Sequence, residues 1–547
     1  MVTVADAMAA RLSEYGVSHV FGYPGETSLS LYAAFQRSES LSHIVGRCPR
    51  GAAYAAEAYA RISGEVAVCD APGGIGSPYC TPALLEAYNS GTPLVLITSG
   101  PSKSTARPWA TGQVEHARLF ESITKRVYVI RAQEGALATL DAALALAARP
   151  RRGPVVIEIA PDVLEAEADE ALLNAPAPAA DAEVPADPAG DPRVAERARA
   201  AARAIRNGAS VALIAGGGSH TEGTAEVLRD FVGRFGIPVF TTLNGKGVLS
   251  ETGDDAPRVV GSKGDTPANE YISGCDVVLY AGSKMGDKST NQYAWPSADQ
   301  FLVRIDHDPR VADIAPERGS LLREEIDRGL RLLAQELGDW SYGGARPRAA
   351  SGSWSPSGTA SLVRTVNAAM AGQDVCVGEA SVASGWFGAL LHLVTPQRLI
   401  TPRGTGSLGY AIPASVGAAV ARPDAAVWTL VGDGGLTMSI GELETIARLG
   451  LNVKVTILDN GRLNLIDQHA IHHHKAAAVS RDFLRIDWPG ICEAIGLPVM
   501  SCDDPDQDAA RISSFFAAKG PAVLVLGTSV DEISPDMAIA IKKGPLI

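Results

Sequence analysis

Apolar positions along this 547-residue chain follow two alternating rhythms. Short β-rich runs such as "EVAVCD", "TPLVLITSG" and "GPVVIEIA" predict buried strands, because nearly every position in them is apolar. Between them lie segments such as "SPYCTPALLEAYNS", whose apolar residues recur at helical spacing. Strand and helix in alternation predict parallel sheets flanked by helices, an α/β fold. The opening "MVTVADAMAARLSEYG" reads as an amphipathic helix rather than a signal peptide.

The rhythm breaks twice. "NAPAPAADAEVPADPAGDP" is rich in Pro, Ala and Asp, and "GGARPRAASGSWSPSG" in Gly, Ser and Arg; both read as linkers. Three α/β domains are therefore expected at 1–170, 193–342 and 359–547, joined by linkers at 171–192 and 343–358. The first and third share a faint echo. "EAYNSGTPLVLITSG" and "ETIARLGLNVKVTILDNG" are both helix, short loop and buried strand, although any βα repeat would produce that likeness.

Composition narrows the class. Hydrophobic residues make up 46% and charged residues 20%, the balance of a soluble globular protein. A formal charge of −13 argues against nucleic acid or an anionic membrane as the main partner. No apolar run reaches membrane-spanning length, and seven scattered cysteines without a C-x-x-C pair fit reduced thiols in a cytoplasm.

The strongest chemical signal is "VWTLVGDGGLTMSIGELETIARLGLNVKVTILDNGRLN". A buried strand ends at Gly432-Asp433-Gly434-Gly435, where glycines let a backbone approach a phosphate and the next helix offers its N-terminus. Asp433 supplies a hard oxygen suited to Mg²⁺ or Ca²⁺. The next strand ends at Asp459-Asn460-Gly461, a turn that adds an amide oxygen and a main-chain carbonyl. Neighbouring parallel strands end on one sheet edge, so Asp433 and Asn460 can meet around one ion. Taken singly, each is also a plain turn. The step of 27 residues between them, spanning one helix and one strand, joins them.

This pattern resembles the thiamine-diphosphate signature. "HVFGYPGETSLSLYAAF", "GAAYAAEAYARISG" and "GTGSLGYAIPASVGAAVARPDAAVWTLVGDGG" extend the likeness to the acetohydroxyacid synthase and pyruvate decarboxylase family over nearly the whole chain. The resemblance implies pyrimidine-binding, central and diphosphate-binding domains, thiamine diphosphate and Mg²⁺ as cofactors, and a homo-oligomer, dimer or tetramer, with active sites between subunits. By the same resemblance, Asp433, Asn460 and the carbonyl of Arg462 hold the ion, and Leu408 props the cofactor in its bent shape. The Gly406 carbonyl would accept from the pyrimidine amino group, and Ser381 joins the cofactor contacts. Asp459 departs from the family's usual asparagine.

A larger departure lies at "GRCPRG". Most of the family carries a basic residue and then His-Glu-Gln-Gly there, and that glutamate activates the pyrimidine. The matching residue is Pro49, which has no carboxylate. Glu57 lies eight helical residues on, about 12 Å along the axis, too far to replace it. Glyoxylate carboligases share an apolar residue at this position, so the resemblance keeps an enzyme in view beside a catalytically degenerate, cofactor-binding homologue.

Glu26 in "GYPGETS" matches the decarboxylases' catalytic Asp and reads either as an acid/base group or as a helix-start carboxylate. Gln113 matches the glutamine of acetohydroxyacid synthases, the decarboxylases' His-His pair is missing, and Ile466 stands at their second acidic position. In "DQHAIHHHKAAA", His469 would share a helical face with His472 and His473, as a metal ligand pair, a proton donor or part of a solvated lid. The central "GSKGDTPAN" and "GSKMGDKST" keep the glycines of the family's FAD loops but not their specific contacts, which implies no tightly bound FAD. The expected activity is acetolactate synthase-like, a transferase or lyase. It decarboxylates a pyruvate-like 2-oxo acid and adds the two-carbon carbanion to an aldehyde or second oxo acid. The alternative is a 2-oxo acid decarboxylase releasing an aldehyde.

Overall fold

Among the described residues, eighteen strands form three parallel sheets of six. The computed structural model describes residues 2–102, 106–107, 110, 112–173, 193–253, 255–308, 318–347, 357–479 and 483–543. Most of both expected linkers, at 174–192 and 348–356, therefore lies outside the described residues.

The first sheet contains β1 (His19–Gly22), β2 (Ser42–Val45), β3 (Ala67–Ala71), β4 (Leu94–Ser99), β5 (Arg126–Ile130) and β6 (Pro154–Ile159). Its order is β2-β1-β3-β4-β6-β5. β3, β4 and β6 are buried along their whole length, as expected of largely apolar strands covered on both faces, and they bury Asp70 and Glu158 with them. The opening helix, Val4–Glu14, starts with a capping box in which Thr3 and Asp6 satisfy each other's main-chain N–H groups.

The second sheet holds β7 (Val211–Ala215), β8 (Val239–Thr241), β9 (Arg258–Val259), β10 (Val277–Ala281), β11 (Phe301–Ile305) and β12 (Gly319–Leu322). Its order, β12-β11-β10-β7-β8-β9, is the doubly wound arrangement with a switch point between β7 and β10. The third holds β13 (Val375–Gly378), β14 (Arg398–Ile400), β15 (Val427–Gly432), β16 (Val453–Asp459), β17 (Val499–Cys502) and β18 (Ala522–Gly527). Its order, β14-β13-β15-β16-β18-β17, repeats that of the first sheet position by position. The echo between "EAYNSGTPLVLITSG" and "ETIARLGLNVKVTILDNG" is thus part of a shared topology.

Two compact units divide the chain. One comprises Met1–Ala186, Pro402–Asp424 and Gly435–Val453; the other comprises Asp187–Thr401, Ala425–Gly434 and Lys454–Ile547. Within the first unit, the alanine-rich Pro49–Ser63 helix packs on the Ala411–Ala421 helix. The approach is close enough that a Cβ on Gly417 would lie 1.8 Å from the Ala55 carbonyl oxygen, so only glycine fits there. Among the described residues no helix is long and apolar enough to cross a membrane. All seven cysteines are unpaired.

Candidate active site

In the second unit, β15 runs Val427–Gly432 and delivers Asp433 to the edge of the third sheet, beside the end of β16. One Asp433 carboxylate oxygen accepts from the Gly434 N–H at 2.9 Å and the other from the Gly461 N–H at 2.7 Å. The second bond seats the carboxylate on the Asn460–Gly461 turn. Asn460 Oδ1 accepts from the Arg462 N–H at 3.1 Å, and its Nδ2 faces Thr528 Oγ1 at 3.4 Å. Burial pushes the Asp433 carboxyl up to about 6; the two N–H groups oppose that rise and the nearby Asp459 carboxylate adds to it. A buried carboxylate next to a second carboxylate, with an amide oxygen and main-chain carbonyls on the same turn, is a hard-oxygen donor set that fits Mg²⁺. A Cβ on Gly432 would meet nothing within 4 Å, which leaves open space beside that residue, whereas one on Gly434 would lie 2.5 Å from Leu463 Cδ2.

Gly406 and Leu408 sit in the first unit, on a loop from Pro402 to the start of the Ala411–Ala421 helix. Gly406 is exposed with φ at 72°, a left-handed conformation that favours glycine. Its N–H is taken by the Pro402 carbonyl at 2.8 Å, and nothing lies within 4 Å of where a Cβ would be. Leu408 is half-buried. An open backbone followed by an apolar prop fits a bent heteroaromatic ligand.

Pro49 is the first residue of its helix, buried, and tolerated there because an N1 position needs no N–H. Cys48 precedes it without a side-chain cap. Glu442, from the helix Glu442–Arg448, holds the residue before that N-cap: one carboxylate oxygen accepts from the Arg47 N–H at 2.9 Å and the other from Thr445 Oγ1 at 2.7 Å. Burial holds the Glu442 carboxyl above its ordinary range against these bonds. The Arg47 side chain lies exposed, 3.8 Å from Glu444, and Arg50 donates to the Met438 carbonyl. A thiol, Cys80, donates to the Pro49 carbonyl at 3.6 Å.

Glu26 opens a short 3-10 turn, Glu26–Ser28, and is exposed. Its neighbour Thr27 ties that turn to the loop after β3 and to the end of β4, through Gly73 N–H to Thr27 Oγ1 at 2.9 Å and Ser99 Oγ to the Thr27 carbonyl at 2.7 Å. Gln113 is exposed in the segment after β4; its neighbours 108, 109 and 111 lie outside the described residues. Ser381 caps the Val382–Leu390 helix by accepting from the Ala383 N–H at 3.3 Å. On the helix Asn464–His474, the ring that meets His469 is His473, at 5.1 Å between centroids, rather than His472. His473 is buried, and among the described residues neither of its ring nitrogens has a hydrogen-bond partner. Burial, then the neighbouring His473 and Lys263, hold the His469 imidazole below its usual value. In the central domain the two glycine loops interlock, Ser262 N–H donating to the Lys288 carbonyl at 2.8 Å, and Lys263 pairs with Asp536.

Several buried polar clusters escaped the sequence reading, which weighed Glu57 only as a stand-in for the carboxylate missing at Pro49. Ser77 Oγ lies 2.7 Å from His116 Nε2, and His116 Nδ1 lies 2.9 Å from a Glu158 carboxylate that also pairs with Arg131. Against the opposing effect of burial, the His116 and Arg131 bonds hold that carboxyl below its ordinary range. Glu57 and Glu86 are both fully buried near Arg61. The available signal was a carboxylate on an otherwise apolar helical face, as at Glu57 among Ala55, Ala56 and Ala58.

Comparison with known proteins adds three matches and a group of relatives. The N-terminal thiamine pyrophosphate binding domain matches residues 2–119, the central domain of the same enzymes 198–317, and their C-terminal binding domain 379–526. The chain is 28% identical to an acetolactate synthase of Arthrospira platensis, over 97% of this chain and 95% of that protein. It is 27% identical to a probable acetolactate synthase large subunit of Methanocaldococcus jannaschii, over 95% and 91%. Against an acetolactate synthase large subunit of Lactococcus lactis the identity is 26%, over 90% and 87%.

Proposed function

We propose that this chain, which belongs to the thiamine pyrophosphate enzymes of the acetohydroxyacid synthase and pyruvate decarboxylase family, is a Mg²⁺-dependent carboligase within it. It takes a pyruvate-like 2-oxo acid, releases CO₂ and joins the two-carbon unit to an aldehyde or a second oxo acid. The observation that carries this reading is the Asp433 carboxylate seated on the Asn460–Gly461 turn.

Asp433, Asn460 and the Arg462 carbonyl would hold the Mg²⁺, with the Gly432–Gly435 backbone beside the diphosphate. Gly406 offers a carbonyl acceptor, Leu408 a prop, and Ser381 a further contact. Thiamine diphosphate, when bound, supplies the electron sink for loss of CO₂. The protein supplies orientation and proton handling. Glu26 is the acid/base group and Gln113 orients the substrate. His469, His472 or both donate a proton from the helix after the metal turn. Pro49 offers no proton acceptor, so the protein leaves the pyrimidine nitrogen uncharged. No flavin is tightly bound. The enzyme works as a cytoplasmic homo-oligomer, dimer or tetramer, with each site shared between subunits.

Ligation is preferred to aldehyde release because Gln113 is present while an exposed apolar residue, Ile466, stands where a decarboxylase acid would be. Glu26 supports the second reading, a 2-oxo acid decarboxylase. A panel of 2-oxo acids with and without aldehyde acceptors, followed by CO₂ release and NMR of products, separates them. Hydroxyketone or hydroxyacid products are expected. Free aldehyde as the main product would favour the decarboxylase, and no CO₂ from any member would overturn both.

A further inference from the structure

Both ends of the loop that carries Gly406 and Leu408 are tied to buried carboxylates. Glu86, on the helix Thr81–Ser90, is fully buried. One of its oxygens accepts from Ser90 Oγ at 2.7 Å and the Gly404 N–H at 3.0 Å. The other accepts from the Thr405 N–H at 2.8 Å and Thr405 Oγ1 at 2.7 Å. Asn89 Nδ2 holds the Gly404 carbonyl at 3.0 Å. The fit is tight: a Cβ on Gly404 would stand 2.9 Å from Ser90 Oγ and 3.0 Å from Glu86.

At the other end of the loop, Tyr410 Oη donates to Glu57 at 2.8 Å, and Thr92 Oγ1 donates to the same carboxylate at 2.9 Å. Arg61 lies 3.8 Å from Glu57 and 3.9 Å from Glu86, so one guanidinium faces both carboxylates. Fully buried charges of this kind are expensive unless each lone pair is used, and here the donors come largely from the loop. Between the two anchors the chain turns through positive φ at Gly406 and Gly409.

We propose that Glu86 and Glu57, bridged by Arg61, are positioning residues that fix both ends of the 404–410 loop, so that the Gly406 carbonyl and Leu408 stand ready for the pyrimidine half of the cofactor. The proposal rests on the cofactor reading above. The Pro49–Ser63 helix then contributes through Glu57, from its third turn, rather than through its first residue.

Two probes divide the site. Thiamine diphosphate with Mg²⁺ uses both halves, whereas inorganic diphosphate with Mg²⁺ uses only the metal and phosphate half. Calorimetric affinities for both would be measured on wild type, Glu86→Gln, Glu86→Asp and Thr405→Val, with Asp433→Ala as the control for the metal half. Expected is a weakening of about tenfold or more for thiamine diphosphate in Glu86→Gln, since bonds to a charged acceptor are the strong ones. Affinity for Mg²⁺-diphosphate should be unchanged, and Glu86→Asp should recover part of the loss. Thr405→Val should lose severalfold, and it decides alone if Glu86→Gln does not fold. Unchanged thiamine diphosphate affinity, or equal weakening for both probes, overturns the positioning role. If wild type binds neither probe, or if Asp433→Ala binds both as wild type does, the cofactor reading itself fails.

Discussion

Replacing Gly51 by alanine sets two effects of opposite sign against each other. Gly51 is the third residue of the Pro49–Ser63 helix, where alanine is favoured over glycine by about 1 kcal/mol. Its Cβ, however, would lie 2.1 Å from a Glu442 carboxylate oxygen and 2.8 Å from the carboxyl carbon. Glu442 has to move, and it is buried and bonded to the Arg47 N–H and Thr445 Oγ1. Each bond to a charged group contributes about 1.5–3 kcal/mol, so losing both outweighs the propensity gain and leaves a net loss of about 2–5 kcal/mol. Scanning calorimetry should show the affected transition falling by several degrees. In a Glu442→Ala background the obstacle is gone, and Gly51→Ala should be neutral or stabilising by about 1 kcal/mol. Equal effects of Gly51→Ala in the two backgrounds would refute the reasoning, because they would show that Glu442 does not occupy the space over Gly51.

Pro49→Glu restores a carboxylate at the first turn of the same helix and should raise the rate of C2 hydrogen–deuterium exchange of bound thiamine diphosphate by about a hundredfold or more. Quenched-flow NMR checks this, and unchanged exchange with normal cofactor binding would show that residue 49 does not face the pyrimidine. Glu57 is pushed up to about 7 by burial, with Glu86 adding to the rise and Arg61, Tyr410 and Thr92 opposing it. A raised carboxyl favours the protonated folded state, so its contribution is complete at acid pH and is lost as pH climbs from the ordinary carboxylate range through about 7. Glu57→Gln should flatten that part of the wild-type stability curve, measured as melting temperature against pH; parallel curves would contradict it. Lys246 and Glu251 form a buried pair at 2.6 Å, so Lys246→Met should destabilise by about 3–5 kcal/mol in thermal unfolding, and Lys246→Met/Glu251→Gln by less.

The parallel sheets were legible because runs such as Val427–Gly432 and Val453–Asp459 are apolar at nearly every position, and the helices between them keep a 3.6-residue period. That the end of β15 meets the turn after β16 was legible too, since adjacent parallel strands bring their ends together; there the Gly461 N–H donates to Asp433. What hid was contact over long separation. Glu57 and Tyr410 are 353 residues apart, and nothing in either segment names the other. Arg47 and Glu442, 395 apart, are the same case. Nor does chain order reveal that residues 402–424 and 435–453, which flank strand β15, belong to the unit built on the first sheet. The histidine face was readable as a helical stripe, and within it the i,i+4 pair His469 and His473 is the one whose rings meet.

The central claim is that Asp433 and the Asn460 turn form the metal half of a thiamine-diphosphate site, and calorimetric titration with thiamine diphosphate and Mg²⁺ tests it most directly. Wild type should bind in a Mg²⁺-dependent manner, and Asp433→Ala should lose affinity by a hundredfold or more, the loss of one charged ligand from a hard-oxygen set. No binding by wild type, or equal binding by wild type and Asp433→Ala, would contradict the account.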